Sequence, residues 1–107
     1  MKRLAQVIGL RPERIDEYER IHRGVPEAVL ARLRASHMTN YSIFRYGTLL
    51  VAYLEYSGDD LEADFAAIAA DPATQAWWQI TEPLQEPVPE RSAEEWWHEI
   101  PEVFHLD

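Results

Sequence analysis

The 107-residue chain reads as one α+β domain with elements in the order β-α-β-β-α-β. Three observations carry that reading. The chain opens on a short strand-like run. A helical stripe then runs from Ile15 to Leu33, interrupted at Gly24 and Pro26. Two further strand-like runs flank a short glycine-containing connection at Tyr46-Gly47-Thr48.

Residues 3–10 form the first strand, with Ala5, Val7 and Gly9 on one face and Leu4, Ile8 and Leu10 near the other. The small-residue face predicts close packing against it. Arg11-Pro12 opens a helix, because proline is tolerated at the first helical position. Ile15, Tyr18, His22, Val25, Val29 and Leu33 then recur every three or four residues. Pro26 removes the bond to the His22 carbonyl, so a break is expected near Gly24, with a second segment from Pro26 to about Ala35.

Asn40–Arg45 and Leu49–Tyr56 make an antiparallel hairpin, with Tyr41 and Ser42 on opposite faces. Asp59-Asp60 cap a helix over 60–70, and Asp71-Pro72 separate it from a helix over 73–84 carrying Trp77-Trp78. Residues 83–92, with Pro83, Pro87 and Pro89, read as an extended surface segment. A last strand is expected at roughly 100–106. This order fits a ferredoxin-like sandwich. Helices on one sheet face leave the other bare, and a symmetric homodimer is expected to cover it.

A formal net charge of -9 argues against a sequence-independent grip on nucleic acid and against an anionic substrate. A neutral small molecule fits best. The absence of cysteine removes thiolate chemistry and agrees with a cytoplasmic location. No apolar stretch approaches membrane-spanning length, and Met1–Val7 lacks the apolar core of a secretory signal.

Tyr18 and His22 lie one helical turn apart on one face, a phenol beside a titratable imidazole. Each candidate also has a plainer role: His22 as a core histidine satisfied by a carbonyl, Tyr18 and Tyr41 as amphipathic core residues. Trp77 and Trp78 project about 100° apart, so one is expected in the core and the other on a pocket or interface. Trp96-Trp97 are expected at a dimer or tail contact. His37, His98 and His105 show no metal-ligand spacing, and neither a phosphate-cradling loop nor a nucleophile elbow is present. No metal or cofactor is expected; proton transfer is the chemistry these residues offer.

The residues resemble the L-rhamnose mutarotase family nearly end to end. The resemblance is carried by Glu17-Tyr18-x-x-x-His22, Pro26-Glu27, Asn40-Tyr41-Ser42-Ile43, Trp77-Trp78 and Glu102-Val103-Phe104-His105-Leu106. It implies a dimeric α/β barrel that interconverts the α and β anomers of L-rhamnose without a cofactor. It also implies that His22 is the proton donor, with Tyr18, Tyr41, Trp77 and Trp78 contacting the sugar. Where the family usually has a bulky aromatic before Pro-Glu, this chain has Val25, with Gly24 beside it. A dimeric-barrel monooxygenase, a noncatalytic small-ligand binder and a mutarotase for another pyranose are the competing readings.

Overall fold

A computed structural model describes residues 1–107. The first strand sets the architecture. β1 (Lys2–Leu10) turns Leu4, Ile8 and Leu10 into the core and leaves Arg3, Ala5 and Val7 on the opposite face. α1 (Ile15–Ile21) follows a 3₁₀ turn at Pro12–Arg14, and a second 3₁₀ turn at His22–Gly24 separates it from α2 (Glu27–Ala35). The expected break is there, and its cause is Pro26, which stands immediately before α2.

β2 (Met38–Tyr46) and β3 (Leu49–Tyr56) form the hairpin, turned by Gly47 at φ 59°. α3 (Leu61–Ala70) is capped by Asp60, which accepts from the Ala63 amide at 3.1 Å. α4 (Pro72–Thr81) is capped by Asp71, which accepts from the amide and the hydroxyl of Thr74, both at 2.9 Å. The chain then reaches the sheet twice more, as β4 (Gln85–Glu86) and β5 (His98–Ile100).

Every pairing is antiparallel, and the sheet order is β2-β3-β1-β4. That is the ferredoxin-like arrangement. Its last strand is split: β4 pairs with Gly9 and Leu10, while β5 pairs with Ala5, Gln6 and Val7 on the same edge of β1. Gly9 permits this approach, since a Cβ there would collide with the Glu86 carbonyl oxygen.

Two expectations are corrected. The strand expected over 100–106 ends at Ile100, and residues 101–107 are exposed and unpaired. Pro101 has no amide proton to give β1, and the register leaves few β1 residues beyond it. The 83–92 segment is not wholly superficial either. Leu84 packs with Ile8, Leu10, Tyr18 and Leu50, and Gln85 is 3% exposed.

The core is divided. One cluster joins Leu4, Met38, Leu54, Tyr56 and Ile68; the other joins Ile8, Leu10, Tyr18, Leu50 and Leu84. A cavity of about 460 Å³, lined by members of both clusters, lies on the helix-covered side of the sheet. No helix is long and apolar enough to cross a membrane.

Candidate active site

The wall of this cavity includes Tyr18, His22, Tyr41, Trp77 and Trp78. All five residues singled out from the sequence therefore meet at one place, by three different routes. α1 delivers the first pair. The rings of Tyr18 and His22 stack with centroids 4.2 Å apart, as side chains four apart on a helix can. His22 ends α1, and its ring Nδ1 lies 2.8 Å from the Tyr18 carbonyl oxygen. A carbonyl can only accept, so Nδ1 carries the proton and donates it. The neutral ring therefore has its lone pair on Nε2, to which no protein group is bonded. Burial lowers the His22 pKa from its ordinary value, an effect partly offset by the Tyr18 carbonyl.

Tyr41 arrives by way of a β-bulge. Thr39 faces Glu55 and Ser42 faces Tyr53, so Asn40 and Tyr41 together oppose Leu54. Asn40 takes a left-handed conformation at φ 47°, as a residue of such a bulge can. The extra residue brings Tyr41 onto the same side as the buried Met38; both line the cavity. The Tyr41 residue retains 38% exposure, yet burial of its phenol, with Tyr18 nearby, pushes the pKa up to about 12. The Tyr18 phenol is also raised by burial, with a hydrogen bond from Gln85 opposing the shift. Both phenols are neutral proton donors at ordinary pH.

α4 brings the tryptophans. Trp77 meets the His22 ring edge-on at 5.3 Å and 67°. Trp78 is 36% exposed and also lines the cavity. Of the expected division, one in the core and the other on a pocket or interface, the pocket half holds for both: Trp77 is half-buried rather than in the core, and each borders the cavity.

Trp96 and Trp97, expected at a dimer or tail contact, are half-buried and line the cavity. They stand just before β5, and pairing of β5 on β1 draws them in. Gln85 and Gln6 are among the polar residues of the wall. Gln6 has a legible signal, as the one polar residue between Leu4 and Leu10 in phase with them. Gln85 had none, because only β4 pairing buries it. Val25 is half-buried and outside the wall. No group of three His, Cys, Asp or Glu side chains is placed to hold a metal ion.

Against known proteins, the L-rhamnose mutarotase family model matches residues 3–106. The L-rhamnose mutarotase of Ligilactobacillus salivarius is 37% identical over 111 residues, covering 98% of this chain and 97% of that protein. The enzyme of the same name from Lactiplantibacillus plantarum is 33% identical over 109 residues, covering 100% of both. Among solved structures, L-rhamnose mutarotase FA22100 from Formosa agariphila superposes with a TM-score of 0.78 at 21% identity, covering 100% of both chains. Tetracenomycin F2 cyclase from Streptomyces glaucescens superposes at 0.74 and 14% identity, covering 100% of this chain and 98% of its own, a likeness of fold alone. With nearly the whole chain matched by the family model, the protein belongs to the L-rhamnose mutarotase family.

Proposed function

We propose that the protein interconverts the α and β anomers of L-rhamnose by acid–base opening and closing of the pyranose ring. One observation carries the reading beyond family membership. A neutral imidazole with its proton fixed on Nδ1 borders, together with two protonated phenols, an aromatic-walled cavity. Ring opening requires a base for the anomeric hydroxyl and an acid for the ring oxygen.

His22 enters as the acceptor. Its Nε2 removes the proton from the anomeric hydroxyl, the electron pair forms the C1 carbonyl, and the bond from C1 to the ring oxygen breaks. A phenol, Tyr18 or Tyr41, supplies the proton to that oxygen. Rotation about C1–C2 exposes the other aldehyde face, and closure reverses both transfers. His22 is then the donor. Tryptophan faces suit the apolar C–H side and methyl group of a 6-deoxy sugar. No cofactor enters this scheme.

A homodimer belongs to the same proposal. On the sheet face away from the cavity, Phe44 is 62% and Tyr46 is 83% exposed, opposite Val51 and Leu49 of β3. A second copy covering this face fits the pattern, and sedimentation of wild type against Phe44→Glu tests it. A cytosolic location accords with a cysteine-free chain.

The test of activity is NMR saturation transfer between the anomeric protons of L-rhamnose, with wild type and His22→Ala. Exchange accelerated by wild type and lost in a folded variant supports the reaction and the residue. No acceleration by wild type defeats the reading.

A further inference from the structure

We infer that Gln85, held in orientation by Trp96, is a positioning residue that aims the Tyr18 hydroxyl proton into the cavity. The inference rests on the mutarotase reading and deepens it. Gln85 is buried on β4, where its side chain lies between two partners from distant parts of the chain. The indole Nε1 of Trp96 donates to its Oε1 at 2.8 Å, and its Nε2 donates to the Tyr18 hydroxyl at 3.2 Å.

The direction of this chain follows from donor inventory. An indole N–H can only donate, so Gln85 must turn its carbonyl oxygen toward Trp96. That choice resolves which way the amide faces and places its NH₂ against Tyr18. The amide nitrogen can also only donate, so the phenol oxygen of Tyr18 is the acceptor. The Tyr18 proton is then left without a protein acceptor, and the cavity is the space it borders. With the amide reversed, Oε1 would face Tyr18, accept its proton and withdraw it from any bound sugar. Trp96 is the group that forbids that reversal.

The backbone fixes the arrangement. Gln85 pairs with Leu10, and the adjacent Glu86 pairs with Gly9, whose missing side chain lets β4 sit close. Trp96 belongs to the segment before β5, so docking of that segment sets the orientation of an acid on α1.

Three variants test this. Gln85→Glu places an acceptor-only group where Tyr18 now meets a donor. Trp96→Phe keeps the aromatic packing and removes the N–H. Gln85→Met removes both polar contacts at similar volume and serves if the carboxylate variant does not fold. Saturation transfer across L-rhamnose concentrations should show kcat lowered about tenfold or more in Gln85→Glu, with KM within about twofold. Trp96→Phe should lose less.

An independent reading comes from ¹³Cζ-labelled tyrosine, with the Tyr18 signal assigned by its loss in Tyr18→Phe. Losing the donated bond should move the Tyr18 titration upward in Gln85→Met, and further in Gln85→Glu. A Tyr18 titration unmoved in both variants overturns the inference, whatever the activity. So does a moved titration with unchanged kcat in an active enzyme. If wild type itself fails to exchange anomers, the mutarotase reading falls, while the titration still shows whether Gln85 governs Tyr18.

Discussion

Nδ1 of His22 lies 2.8 Å from the carbonyl oxygen of Tyr18, the residue one turn earlier on the same helix. This bond fixes the tautomer of the imidazole and makes Nε2 the nitrogen available to substrate. With the pKa lowered by burial, the ring is neutral at pH 7. A base must be neutral to act, so the rate of anomer exchange should fall as pH drops through a value below 6.5 and level off above it. A histidine that had to begin as the acid would give the opposite slope. Saturation transfer between about pH 5 and 8, corrected for the uncatalysed rate, separates the two. His22→Ala should lower the rate by about 10²–10⁴-fold at the plateau.

The cavity wall includes Glu82, Glu94, Glu95 and Glu99 and no Lys or Arg. Carboxylates around a partly desolvated site repel an anionic ligand over distances that salt shortens. A hexuronate should therefore compete with L-rhamnose at least about tenfold less well than a neutral hexose of the same configuration, and the gap should narrow with added salt. Competition in the saturation-transfer assay at low and high sodium chloride checks this. Equal inhibition by both sugars at low salt would show that the carboxylates do not govern entry.

Tyr41 and Trp96 show where sequence reading succeeds and where it stops. The period of α1 and the position of Pro26 are local facts, so the stacked Tyr18 and His22 and the break after them were legible. Tyr41 and Ser42 lie on opposite faces as alternation predicts, yet the reason Tyr41 shares a face with Met38 lies in the bulge at Asn40. A bulge adds one residue and inverts the alternation, and alternation alone cannot reveal it. The burial of Gln85 and the place of Trp96 on the cavity wall follow from pairing with β1, some eighty residues away in the chain, which no local pattern shows. Pro83, Pro87 and Pro89 correctly signalled irregular backbone but said nothing about what that backbone covers.

Asn40 makes the bulge testable. Its φ of 47° suits asparagine or glycine, and its Nδ2 donates to Glu55 Oε2 at 3.0 Å on the outer face. Asn40→Gly should keep the fold with little change in activity. Asn40→Val puts a β-branched residue in the left-handed region and should cost about 1–3 kcal/mol in urea unfolding. Deleting Asn40 should leave Tyr41 alone opposite Leu54 on the same inner face, so fold and activity should both largely survive in a straightened hairpin. Activity lost from a folded deletion variant would mean that the bulge itself, beyond the choice of face, sets the Tyr41 hydroxyl in place.

The segment that carries Trp96 and Trp97 is held by one carboxylate. Glu95 Oε1 accepts from the Ser92 amide at 2.9 Å and lies 2.9 Å from His98 Nδ1, while Oε2 accepts from the Glu99 amide at 3.1 Å. Arg91 adds a bond to the Glu95 carbonyl and sits over the Trp96 ring. His98 first, then the two amides, hold the Glu95 carboxyl at about 2 against an ordinary 4.5. A depressed carboxylate favours the docked segment above pH 4.5, and that support is lost as pH falls toward about 2. Tryptophan emission should therefore shift to the red over this acid range in wild type. In Glu95→Gln the segment loses its charged acceptor, so emission should be shifted already at pH 7, with kcat for L-rhamnose lowered at least as far as in Trp96→Phe and KM raised as well. Comparison with Trp96→Phe identifies how much of the signal comes from this ring. An acid transition that persists unchanged in Glu95→Gln would place the holding group elsewhere.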